Sequence, residues 1–125
     1  MPGPGLNAYR KIQTTTTSGR ELEASVLTNG AHLLKDCQLH WNEKDRFRRL
    51  DAALTFNQRL WTVFQSELIK EDNPLPVKLK ADILSLSIFI DKRIVEIMQD
   101  PTPEKLNAVI NINLNLAAGL RGSPA

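Results

Sequence analysis

The side chains best suited to chemistry in this chain are His32, Asp36 and His40, which recur every four residues. On a helix, successive members of such a series rotate by only about 40°, so two imidazoles and a carboxylate could share one face. That is a donor set for a transition metal. The arrangement needs the helix to continue past His40, whereas Leu39 and Trp41 read as part of the following turn, and Cys37 points elsewhere. We expect a solvated face here and no metal site. The serines read as helix caps or, at Ser85 and Ser87, as core-lining hydroxyls that bond back to helix carbonyls. Gly3, Gly5 and Gly19 are not followed by a lysine in the frame of a phosphate loop. No nucleophile, base and orienting acid are suggested, so the expectation is a binding protein, not an enzyme, without a cofactor.

The charge pattern bears on nucleic acid. Arg46, Arg48 and Arg49 cluster, and Lys78, Lys80, Lys92 and Arg93 add further cations. Glu43, Asp45, Asp51, Asp82 and Asp91 are interspersed among them, and the net charge is only +2. A nucleic-acid face needs one sign of charge with stacking aromatics or a recognition helix. The pattern reads instead as a mixed, solvated surface.

Asn57 is the most informative polar residue. It interrupts an apolar series, Phe47, Leu50, Leu54, Asn57, Trp61, Phe64 and Leu68, that advances in alternating steps of three and four. That is a heptad seam, which a strand cannot produce. Burying an amide there without partners costs on the order of 1–3 kcal/mol. Either Asn57 is bonded to a neighbouring helix, or with Trp61 it specifies register and partner choice.

The elements that must position these residues are helical. Residues 1–17 read as a flexible N-terminal arm, with two prolines, two glycines and the run Thr14 to Thr17. Within it Leu6, Tyr9 and Ile12 recur at helical spacing. Residues 18–125 read as a single bundle domain. Ser18 with Glu21 forms a capping box for a first helix whose face carries Leu22, Val26, Leu33 and Cys37, with Leu27 and Leu34 beside them. Asn42 is placed to cap a second helix that stops before Asn73-Pro74-Leu75-Pro76. A third spans about Pro76 to Asp100, with Leu79, Ile83, Leu86, Ile90, Ile94 and Ile97 on one face and Leu84, Ile88 and Val95 on the other. Apolar on most of its circumference, it is expected to be the central, buried helix. Thr102-Pro103-Glu104 opens a fourth, despite the strand-like alternation of Ile110-Asn111-Ile112-Asn113. The expected fold class is all-α, a compact bundle of about four helices.

Composition bounds the setting. The 125 residues are 42% hydrophobic and 24% charged, ordinary for one globular domain. No apolar run approaches the roughly 20 residues needed to cross a bilayer. Cys37 is the only cysteine, so no internal disulfide exists, and a reducing, cytoplasmic location is expected.

The apolar sectors are wider than a small bundle needs. Phe56, Leu60 and Val63 extend the second helix's seam sideways, and Ile112 faces away from the fourth helix's main stripe. Surplus apolar surface marks a groove for a partner helix. The candidate contacts are Tyr9, Ile12, Phe56, Val63, Ile112 and Leu116. Contact with two neighbours inside one bundle is the competing explanation.

Several segments resemble the FlaF family of flagellar biosynthesis regulators. They are Asn7-Ala8-Tyr9, Asn57-Gln58-Arg59-Leu60-Trp61, Leu75-Pro76, Leu79 to Ile83, Ser85 to Ile90, and Ile110-Asn111-Ile112-Asn113 with Gly119-Leu120. Residues 20–45 show no distinctive match. The resemblance implies a cytoplasmic protein that binds flagellin through an amphipathic helical segment and assists its secretion, in concert with a FlbT-like regulator. Two other classes remain open: an RNA-binding regulator of flagellin expression, and a structural module that oligomerises through the second helix.

Overall fold

The computed structural model describes residues 4–122, with side chains from Gly19 onward. The described residues form four α-helices: α1 (Pro4–Leu39), α2 (Arg46–Leu68), α3 (Val77–Gln99) and α4 (Asn107–Leu120). A short 3-10 turn, Pro103–Leu106, leads into α4. The all-α expectation holds. α1 opens at Pro4, ahead of the start expected at Ser18, so the backbone of residues 4–17 of the expected arm is continuous with the first helix, while residues 1–3 lie outside the described residues. Described burial on α1 begins at Ala24.

The connections follow from local chemistry. At the α1–α2 corner, Asn42 lies in the turn and α2 begins four residues later, with Asp45 at its N-cap position. Asp45 makes no capping bond; its carboxylate instead accepts from Arg49 Nε at 2.9 Å. Arg49 also donates to Asp36 at 2.9 Å and to Glu43 at 3.4 Å, so one guanidinium fastens the end of α1 to the turn. Between α2 and α3, Asn73 accepts from the Leu75 amide and donates to the Glu67 carbonyl. Pro103 sits at the first position of the 3-10 turn behind an extended Thr102, as its fixed φ and missing N–H favour. Past α4, Gly122 has φ +69°, the left-handed conformation that glycine tolerates at a helix end.

The core differs from expectation in two ways. On α1 the buried face is Ala24, Leu27, Ala31, Leu34 and Cys37, while Leu22 is 65% exposed and Leu33 is also exposed. The most extensive helix pairing is α1 with α4. The buried face of α1 mixes alanines with Leu27 and Leu34, and small side chains of that kind let helix backbones approach closely. Second, α3 is not the central helix. It packs chiefly on α2 and only sparsely on α4. Its inner face, Ile83, Ser87, Ile90, Ile94 and Ile97, is buried, but Ile88 and Val95 are exposed. α2 matches its expected seam, with every member from Leu50 to Leu68 buried and only Phe47 exposed.

Candidate functional site

The helices around α2 are held by a buried chain of amides. Asn57 donates through Nδ2 to the Ala53 carbonyl at 2.8 Å and to the Gly30 carbonyl at 3.2 Å. Its Oδ1 accepts from Asn113 Nδ2 at 2.7 Å, and Asn113 Oδ1 accepts from Trp61 Nε1 at 3.0 Å. Asn57, Trp61 and Asn113 are all wholly shielded from solvent. Polar groups that would be costly to bury singly satisfy one another, and three helices are locked in register. The bonded-core alternative therefore describes Asn57: both of its donor hydrogens are used inside the chain.

Gly30 belongs to this chain for a steric reason. A Cβ there would stand 2.6 Å from Asn57 Oδ1 and 2.9 Å from Asn113 Nδ2. The glycine that weakens α1 intrinsically is what lets the amides meet. The signal for Asn113 is present in the sequence, since Leu106, Ile110, Asn113 and Ala117 share one helical stripe.

Beside this frame, α1 and α2 line an apolar groove of about 760 Å³. Leu22 and Val26 form the α1 wall; Ala52, Phe56, Leu60, Val63 and Phe64 form the floor and the α2 wall. The α2 wall runs from Asp51 to Glu67, about 24 Å at 1.5 Å per residue, the length of a four-turn helix. Glu23, Asp51 and Glu67 rim the groove with Arg59. Partial burial raises the Glu23 carboxyl above its usual range; Arg20 opposes that shift and Glu67 adds to it. An acidic rim around an apolar floor suits a helix whose apolar stripe is bordered by basic residues.

The candidate contact residues do not form one surface. Phe56 and Val63 share the groove, joined by Leu22 and Val26, whose spacing had suggested a core role. That seam-like spacing concealed that they are a wall. Ile112 lies in a separate shallow cleft between α3 and α4 with Leu86 and Phe89. Leu116 lines a small crevice at the end of the bundle, with Leu75, Phe64 and Leu120. The side chains of Tyr9 and Ile12 lie outside the described residues.

The His32, Asp36 and His40 series is drawn into other bonds. Asp36 carries both Arg49, at 2.9 Å, and His40 Nδ1, at 3.1 Å, while His32 is exposed. Among the described residues no group of three His, Cys, Asp or Glu side chains is placed to hold a metal ion. Arg49 also faces three carboxylates, which reduces the positive field of the Arg46–Arg48–Arg49 cluster. Burial raises the Cys37 thiol above its ordinary value, with Asp36 adding to the effect, so the neutral thiol is favoured.

Residues 6–120 match the family model described as Flagellar protein FlaF. No curated protein and no solved structure matches the chain.

Proposed function

The chain belongs to the FlaF family of flagellar proteins, and we propose that it binds monomeric flagellin and assists its secretion as an export chaperone. The observation that carries the reading is the apolar groove between α1 and α2. An amphipathic helical segment of flagellin would lay its apolar stripe against Phe56, Leu60 and Val63, with basic neighbours meeting Glu23, Asp51 and Glu67. Such segments aggregate when exposed, and covering them before export is a role that requires binding alone. Burying a few large side chains yields roughly 1.5–3 kcal/mol each before ordering costs, consistent with micromolar affinity. The reading puts the protein in the cytoplasm, where flagellin awaits export. No described helix is long and apolar enough to cross a membrane.

Titration calorimetry with purified flagellin kept monomeric tests this directly. We expect a one-to-one complex whose affinity falls only modestly as salt rises, because the contact is mainly apolar. Absence of heat and of co-elution at tens of micromolar would leave an indirect regulatory role as the better reading.

A further inference from the structure

α1 runs on past the end of α4. Arg121, which follows α4, donates to Glu21 at 3.3 Å, and described burial on α1 begins only at Ala24. The helical backbone nevertheless starts at Pro4. Residues 4–18 therefore add about 22 Å of helix at 1.5 Å per residue, close to the length of the α2 wall of the groove. Charge in this segment has one sign. Arg10 and Lys11 are its only charged residues, and Leu6, Tyr9 and Ile12 recur in it at helical spacing.

The groove lacks a cation that such a segment carries. Glu23 lines it and is partly buried, yet among the described residues it has no hydrogen bond or ion pair, and Arg20 acts on it only from a distance. Asp51, at the far end, is likewise unpaired among the described residues. A carboxylate held beside apolar side chains without a cation is costly. The same copy's segment cannot supply one. It belongs to the helix that forms the groove's α1 wall, and Lys11 lies about 18 Å from Glu23 along that helix. A second copy has no such restriction.

We infer that two copies pair about a twofold axis, with residues 4–18 of each lying antiparallel in the α1/α2 groove of the other. Setting Lys11 level with Glu23 of the second copy places the axis near Thr17. The same register brings Ile12 level with Leu22 and Tyr9 level with Ser25, next to Val26, so the segment's apolar residues meet the stretch of α1 that walls the groove. The two α1 helices then cross within Thr15 to Gly19. Short residues there permit close approach, and nothing described lies within 4 Å of the Cβ position of Gly19. Each contact is made twice, and the assembly closes at two copies. Flagellin and the second copy then compete for one groove, so flagellin binding separates the dimer. That consequence rests on the flagellin reading; the dimer itself does not.

Sedimentation velocity of the full chain alone, over a concentration series, tests the assignment. We expect a monomer–dimer equilibrium. Arg10→Glu with Lys11→Glu should weaken it at least about tenfold, because the charge facing Glu23 is reversed at both symmetric contacts. Adding Glu23→Lys to that variant should recover the dimer. Phe56→Ser with Val63→Ser should weaken it by removing apolar surface from the groove. A chain that stays monomeric into the hundred-micromolar range would overturn the inference. So would a dimer indifferent to Arg10→Glu with Lys11→Glu, or one that Glu23→Lys fails to recover, since the segment would then not meet this groove. A dimer with these responses, formed by a chain that shows no calorimetric binding of flagellin, would uphold the inference and remove only the flagellin reading.

Discussion

Asn113 donates its side-chain amide to Asn57 Oδ1 across 2.7 Å, joining α4 to α2 where neither residue touches water. Both bonded atoms lie within 3 Å of where a Cβ on Gly30 of α1 would stand, so three helices meet at two amides. Low local polarity strengthens such bonds and makes any unpaired member costly. The groove wall formed by Phe56, Leu60 and Val63 is on the same helix as Asn57, and its position depends on this junction.

Removing one member should therefore hurt. Asn57→Leu leaves the Asn113 amide without its acceptor and the Gly30 carbonyl without its side-chain donor, and should destabilise the fold by about 2–4 kcal/mol. Taken alone, the seam pattern suggests that leucine would be tolerated or even favourable; the bonding reverses that expectation. Chemical denaturation of Asn57→Leu, Asn113→Leu and the double variant should reveal a coupling of at least about 1 kcal/mol. Additive losses would mean that the two amides do not act together.

Gly30→Ala should destabilise, against the usual stabilisation of up to about 1 kcal/mol for replacing a helical glycine. The added Cβ must displace Asn57 or Asn113, and overpacking of that kind costs roughly 1–3 kcal/mol. Gly119→Ala is the control, since nothing lies within 4 Å of its Cβ position. If both substitutions raise the denaturation midpoint, the close approach at Gly30 is not present in solution.

Phe56→Ser with Val63→Ser should weaken flagellin capture at least about tenfold, as burial of two large side chains is lost. The helical circular dichroism spectrum should be retained, because Val63 is 60% exposed and Phe56 only partly buried. Undiminished capture by a folded double variant would remove the α1/α2 groove from the binding site.

The Arg49 corner should confer an acid-sensitive contribution to stability. Hydrogen bonding to Arg49 holds the Asp45 carboxyl below its ordinary value of 3.8. A carboxyl depressed in the folded state stabilises above its unfolded value and loses that effect as pH falls through the folded one. Asp45→Asn should thus lower the denaturation midpoint at neutral pH, and the two curves should converge as pH drops below 3.8. A constant offset down to about pH 2 would show that the carboxylate's charge is not what Arg49 reads.

The helices themselves were legible from the chain because their signals are local. A heptad seam, two proline-rich breaks and Pro103 behind Thr102 limit where a helix can run, whatever packs on it, and α2 to α4 fall close to those limits. The motif spacing likewise sufficed to suggest the family. Which face of each helix is buried is a different matter, because it depends on what lies opposite. Periodicity put Leu22 and Leu33 on one face of α1 with Leu27 and Leu34 beside it, but the buried face is Leu27 and Leu34 with Ala24 and Ala31, leaving Leu22 free to wall a groove. Two apolar faces made α3 look central. With a single bundle to pack against, one face was buried, while Ile88 and Val95 on the other stayed exposed. Asn57 could be recognised as requiring partners, but Gly30 and Asn113 lie 27 and 56 residues from it in sequence and meet it only in the folded bundle. Periodicity determines which residues can share a face; only the packing of one helix on another decides which face is covered.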